Sequence, residues 1–282
     1  MFQHGYAEAN GLRMHYVSEG EGKTILFLHG FPEFFYAWKH QLADLSRDHR
    51  VIAADLPGYN LSDKPQAVEA YRIEQIVENV RGLLDSLAAG EQVILIGHDW
   101  GGIIAWAFAA AHPEYLAKLV ILNAPHGAIF ARELAHNPAQ QKASSYMAAF
   151  RHPAAEATLS AFNHAALAKV TFDSAKAGAF SDEDKAAYQI AWSQPGALTG
   201  GLNYYRALGN ASLSPEQAAA ITVHVPTLVI WAEGDTALLT GNLDGLEQYV
   251  PDLQVRRIPG ASHWVMHDEP ALVNQYIREF IG

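Results

Sequence analysis

Six short runs of aliphatic and β-branched residues punctuate the chain: Thr24–Leu28, Val51–Ala54, Val93–Ile96, Leu119–Leu122, Thr227–Trp231 and Gln254–Ile258. Most are apolar at nearly every position rather than at alternate ones, which is the pattern of a strand covered on both faces. Between most of them lie stretches of helical character: Ile73–Leu87, with apolar positions three and four apart, then Gly101–Ala111, Leu243–Tyr249 and Ala271–Ile281. Strands alternating with helices predict a mostly parallel sheet with helices on both faces, an α/β class.

The alternation lapses between about Ile129 and Gly209. Here Ala-rich helical stretches carry Tyr146, Phe150, Phe162, Phe172, Tyr188 and Trp192, and are broken at Pro138, Pro153 and Pro195-Gly196. Because strand-like residues resume at Thr227–Trp231, this segment reads as an all-helical insertion, not a separate C-terminal domain. The predicted organisation is an α/β core over 1–128 and 213–282 with a helical cap over 129–212. Such an insertion sits over the carboxyl ends of the strands, where open α/β sheets bind ligands.

Composition narrows the function. With 282 residues, half of them hydrophobic, the chain can bury a large core. A net charge of -11 argues against a nucleic-acid binder, which needs Lys/Arg stripes. The absence of cysteine removes disulfides, thiolate metal sites and Cys nucleophiles and fits a reducing compartment. Met1 to Val17 holds no apolar run of the kind a secretory signal requires, and the most apolar stretch, Ile103 to Ala111, is too short to cross a bilayer. A cytoplasmic protein without a membrane partner is expected.

The candidate chemistry centres on Val93-Ile94-Leu95-Ile96-Gly97-His98-Asp99-Trp100-Gly101-Gly102, a strand, a sharp turn and an apolar helix in succession. It matches a G-x-S-x-G nucleophile elbow with Asp99 in place of serine. Gly97 and Gly101 let the strand and helix backbones approach, and the helix dipole steadies an anion at its N-terminus. Taken alone, such a segment is more simply a helix N-cap. Three further features favour the elbow. His29-Gly30-Phe31-Pro32 follows the first apolar strand, where a loop can supply the Phe31 N–H to pair with that of Trp100 as an oxyanion hole. Asp235, in Glu233-Gly234-Asp235, and His263, in Gly260-Ala261-Ser262-His263, fall in the order nucleophile, acid, base, each just beyond a strand. His263 stands out among 14 histidines by position, whereas His98, next to the nucleophile, should point away and support the turn.

Across essentially the whole chain these motifs, with Asp55-Leu56-Pro57-Gly58-Tyr59 and Ser62-Asp63-Lys64-Pro65, resemble the epoxide hydrolase branch of the α/β-hydrolase superfamily. The resemblance implies attack by Asp99 on an epoxide carbon to give an alkyl ester. His263, oriented by Asp235, then activates the water that hydrolyses it. Two ring-opening acids are implied in the cap, at Tyr146 in Ser145-Tyr146-Met147 and at Tyr205 in Asn203-Tyr204-Tyr205-Arg206, with Tyr204 the neighbouring register. Trp38, Tyr204, Phe31 and Trp100 are candidate pocket residues for a small neutral apolar epoxide. No metal or organic cofactor is implied, and the assembly is a monomer or homodimer. The related haloacetate dehalogenases carry an arginine where this chain has Trp100, and haloalkane dehalogenases often carry a halide-binding Asn where it has Phe31. A haloalkane dehalogenase and a non-catalytic small-ligand binder on the same scaffold are the alternatives.

Overall fold

The computed structural model describes residues 2–208 and 221–282. Its sheet contains β1 (Gln3–Ala9), β2 (Leu12–Glu19), β3 (Thr24–Leu28), β4 (Arg50–Ala54), β5 (Val93–His98), β6 (Leu116–Leu122), β7 (Thr227–Ala232) and β8 (Leu253–Ile258). The spatial order is β1-β2-β4-β3-β5-β6-β7-β8. From β4 to β8 every pairing is parallel, and β3, β5 and β7 are buried at every position, as their uninterrupted apolar runs predict.

The β1–β2 hairpin, which pairs antiparallel with β4 through β2, is not among the predicted strands. It lies at the sheet edge with β1 largely exposed, so its sequence lacks a continuous apolar run. Asn10 and Gly11, both at positive φ, make its turn, the backbone that a tight hairpin demands.

Helices α1 (Lys39–Leu45), α2 (Ile73–Leu87) and α3 (Trp100–Ala111) cover the sheet. The predicted helix over Leu243–Tyr249 forms instead as two short 3-10 turns, Thr240–Leu243 and Leu246–Gln248. Gly245 between them takes a left-handed backbone and stops the helix.

Between β6 and β7 the chain runs through α4 (Gly127–His136), α5 (Pro138–Ala143), α6 (Tyr146–Arg151), α7 (Ala155–Thr171), α8 (Asp182–Trp192) and α9 (Ala197–Leu208). The boundary predicted at 212 and 213 lies outside the described residues. Local chemistry starts two of these helices: the Asn137 side chain caps α5 with Pro138 behind it, and Ser181 and Asp184 form a capping box on α8. Side chains of this segment donate to the core, among them Tyr204 to the Pro57 carbonyl at 2.8 Å, Trp192 to the Pro32 carbonyl at 2.6 Å, and Tyr188 to Glu33 at 2.8 Å. α9 also lies so near the loop after β4 that a Cβ on Gly200 would stand 2.4 Å from the Gly58 carbonyl oxygen. Short α10 (Val265–Asp268) and α11 (Pro270–Ile281) close the chain.

Candidate active site

Asp99 is the single residue between β5 and α3, at φ 49 and ψ -122, a backbone state costly for a residue with a side chain. Its carboxylate makes no cap bond to α3. Instead Oδ1 accepts the Phe31 N–H at 2.9 Å. The simpler N-cap reading of Asp99 is thus set aside by the geometry. The turn packs without room to spare: a Cβ on Gly101 would lie 2.1 Å from the Leu28 carbonyl oxygen, and one on Gly30 would lie 2.3 Å from the Asp99 Cβ. Any side chain at either position displaces the backbone that presents Asp99.

Beyond β7 and β8, Asp235 and His263 converge on that carboxylate. His263 Nδ1 donates to Asp235 Oδ2 at 2.7 Å, and its Nε2 stands 3.6 Å from Asp99 Oδ2. Asp235 is almost wholly buried, and its other oxygen accepts the N–H groups of Ala237 at 2.8 Å and Leu238 at 2.9 Å. Burial works against its charge, but His263 and these donors hold its carboxyl below the usual range. For His263 burial acts to lower the pKa, and the flanking carboxylates, Asp235 foremost, outweigh it and raise the imidazole well above its ordinary value.

The loop carrying Phe31 is held from two sides. His29 donates from Nδ1 to the Gly30 carbonyl at 2.8 Å and accepts the Leu56 N–H on Nε2 at 3.0 Å, which ties the first motif to the Asp55-Leu56 motif. Asp55 in turn accepts from the Phe35 N–H at 2.9 Å and from His15 Nδ1 at 2.6 Å. On the other side the fully buried Glu33 accepts from Tyr188 at 2.8 Å, His267 at 3.1 Å and His98 at 3.0 Å. Burial opposes a charge on Glu33, yet these imidazole partners hold its carboxyl far below the usual range. The second ring nitrogen of His98 donates to the backbone carbonyl of His263 at 2.9 Å. A chain of hydrogen bonds therefore runs from α8 through Glu33 and His98 to the loop that carries His263.

Above the carboxylate the helical segment closes an aromatic cluster. The Tyr205 ring meets Phe31, Trp100 and Phe150 edge-on at 5.4, 5.1 and 5.1 Å, and lies 6.2 Å from Tyr146. Burial, with the Asp99 charge added, raises both Tyr146 and Tyr205 well above the usual phenol range, so both hydroxyls keep their protons. A cleft of about 370 Å3 opens between α7 and the α8–α9 link, lined among others by Glu156, His164 and Gln194. A narrow cavity bounded by Phe31 and Tyr59 shares its Trp192 and Leu198 walls.

The structure thus brings Asp99, Asp235, His263, Phe31, Trp100, Tyr146 and Tyr205 to one place. Trp100 is the first residue of α3, where backbone N–H groups have no partner within the helix. Tyr204 and Tyr205 both pack against Trp100 but separate beyond it: the Tyr204 hydroxyl is spent on Pro57, while Tyr205 turns toward Phe31. Trp38 is fully buried, with its ring 5.1 Å from that of Phe27 in β3. Glu33 and Tyr188, absent from the sequence reading of the site, support it. The clue to Glu33 was its place directly after His29-Gly30-Phe31-Pro32. Among the described residues no cluster of three or more His, Asp or Glu is arranged to hold a metal, and no helix is long and apolar enough to cross a membrane.

Residues 23–270 match the model of the alpha/beta hydrolase fold family. The chain belongs to that family, in its epoxide hydrolase branch. It is 36% identical over 288 residues to Epoxide hydrolase 2 of Caenorhabditis elegans, covering 100% of this chain and 80% of the relative. It is 40% identical over 280 residues to the AB hydrolase superfamily protein YfhM of Bacillus subtilis, covering 98% and 96% of the two chains. The crystal structure of Bacillus megaterium epoxide hydrolase in complex with an inhibitor superposes with a TM-score of 0.92 at 38% identity, over 98% of this chain and 99% of that one.

Proposed function

We propose that the protein hydrolyses small, neutral, apolar epoxides to vicinal diols through an ester on Asp99. The carrying observation is a carboxylate at the elbow, with the His263–Asp235 pair on one side and two protonated tyrosines above. Asp99 Oδ1 is held by the Phe31 N–H, which leaves Oδ2 to attack a ring carbon. A carboxylate needs no proton removed for this step. Tyr146 and Tyr205 donate to the departing oxygen, whose charge develops as the ring opens. Ester formation removes the charge of Asp99, so His263 loses one of the two anions that hold it protonated. It gives up its proton to restore the tyrosine that protonated the ring oxygen, and the neutral imidazole then takes a proton from the water that attacks the ester carbonyl. The Phe31 and Trp100 N–H groups stabilise the oxyanion, each worth about 3 kcal/mol. Collapse releases the diol and restores Asp99.

The helical segment, 129–212, acts as the cap over the core of 1–128 and 213–282, and supplies the two acids. The aromatic lining excludes bulk water and suits a neutral substrate. Haloalkane turnover is disfavoured because Phe31 brings no side-chain donor for a halide. We place the enzyme in the cytoplasm as a monomer or homodimer; its lack of cysteine supports a reducing compartment.

The test is a single turnover of styrene oxide in 18O-labelled water. The label should enter the peptide containing Asp99 and not the diol, because water attacks the ester carbonyl carbon. Label found in the diol and none in Asp99 means direct attack of water on the epoxide, and the proposal fails.

A further inference from the structure

We infer that Asn123 is a positioning residue for the base: its amide holds the Asp235 carboxylate in the orientation from which that carboxylate grips His263. The inference rests on the assignment of His263 as the base of ester hydrolysis.

Asn123 directly follows β6, fully buried, at φ 37. Asparagine is among the few residues with a side chain that enter this region readily, because its amide can bond locally. Here the amide does two things. Its Oδ1 accepts the Ala232 N–H at 2.8 Å and its backbone N–H donates to Ile230 at 3.2 Å. These bonds continue the β6–β7 pairing past its last paired residues, Leu122 and Ile230. The side chain thereby fixes the end of β7, from which the Asp235 loop departs. Its Nδ2 donates to Asp235 Oδ2 at 2.8 Å, the same oxygen that accepts from His263 Nδ1 at 2.7 Å.

With Ala237 and Leu238 on Oδ1, Asp235 has four donors for about four lone-pair directions. It has no freedom to rotate. The Asn123 donor also draws charge from Oδ2, so the pull of Asp235 on a protonated His263 is weaker than that of a carboxylate with one partner on that oxygen. The titratable groups facing His263 are Asp235 beyond β7, and Asp99 and His98 at the end of β5, with Glu33 behind His98. From the cap, Tyr146 of α6 faces Asp99 and Asp235. None of the others contacts the Asp235 oxygen that Asn123 holds, so this donor can be removed with the rest of the array in place.

Two variants suit the backbone at this position: Asn123→Gly deletes the amide, and Asn123→Asp keeps the acceptor for Ala232 while turning the donor into a second anion. Single turnovers with styrene oxide, followed by intact-protein mass and tryptophan fluorescence from acid to alkaline pH, resolve ester formation from ester hydrolysis. In Asn123→Gly hydrolysis of the ester should slow more than its formation, about tenfold at neutral pH, with its acid limb moved up by about one unit and the rate recovering in alkali, the size of one charged hydrogen bond. In Asn123→Asp the limb should move further. An unmoved limb in both folded variants, or an equal loss at every pH, overturns the inference.

A measurement on the unmodified protein guards against variants that fail to fold. The Asn123 side-chain amide NMR signals should follow the His263 titration, and signals indifferent to it also overturn the inference. If neither wild type nor His263→Gln forms any ester on Asp99, it is the proposed function that has failed.

Discussion

His263 Nε2 and Asp99 Oδ2 stand 3.6 Å apart, close enough for each charge to stabilise the other and slightly too far for a hydrogen bond of ordinary length. The same imidazole is bonded to Asp235 on its far side. In the free enzyme His263 lies between two carboxylates, which overcome the lowering effect of burial and keep it protonated well above its ordinary pKa. Once Asp99 is esterified only one anion remains. The basic form of His263 should therefore appear at lower pH in the ester than in the free enzyme. An NMR titration of His263 in the free enzyme should give a pKa above the acid limb of single-turnover ester hydrolysis; coincident values would sink this account.

Replacing His263 by glutamine should separate the half-reactions. Ring opening needs no base, whereas ester hydrolysis does, and loss of a general base costs about 10²- to 10⁴-fold. The protein should accumulate a mass increase equal to that of the epoxide, located on the peptide containing Asp99. An unmodified protein after prolonged incubation with substrate would argue against the two-step route.

The two cap tyrosines make a prediction about register. Tyr205 faces Phe31 and Trp100, and Tyr146 shares its cluster, so Phe at either position should slow ester formation by about 10- to 100-fold, part of the usual range for a general acid. Tyr204→Phe should instead act on stability, because it leaves the Pro57 carbonyl without its donor at a cost of about 1–3 kcal/mol. Burial first, and the Asp99 charge second, raise both Tyr146 and Tyr205, so ester formation should show no alkaline limb below about pH 10, the ordinary phenol value. Stopped-flow fluorescence and urea unfolding distinguish the two kinds of effect.

That register was hard to read from sequence because Tyr204 and Tyr205 are adjacent, and only the docking of α9 against Gly58 decides which one faces Asp99. The buried strands were legible for the opposite reason: β3, β5 and β7 are covered on both faces, so their sequence carries the whole signal. The same holds for the elbow, where Gly97, Asp99 and Gly101 lie within five residues and sterics dictate the two glycines that frame the strained Asp99. The hairpin of β1 and β2 escaped because an exposed edge tolerates polar residues. The helix predicted over Leu243–Tyr249 follows apolar spacing that is real, but Gly245 interrupts it. Glu33 and Asn123 were invisible as parts of the site because their partners, His98 and Asp235, lie 65 and 112 residues away along the chain.

Glu33 gives a prediction in which stability and chemistry can be told apart. Although burial opposes its charge, His267 and His98 depress its carboxyl pKa far below the ordinary glutamate value of about 4.3. A depressed folded-state pKa stabilises the protein above the unfolded value, and that stabilisation is lost as pH falls through the folded one. Glu33→Gln leaves two imidazoles and Tyr188 facing a neutral amide and should cost about 3 kcal/mol near neutral pH, in the range for breaking a buried pair. The difference in urea-unfolding free energy between wild type and variant should shrink steadily below about pH 4.3, where the unfolded carboxyl takes up its proton. A difference that stays constant with pH would mean that Glu33 contributes packing and not charge. Because His98 donates to the carbonyl of His263, the same variant should slow ester hydrolysis more than ring opening. Equal slowing of both steps would separate this network from the base and leave it a purely structural brace between α8 and the sheet.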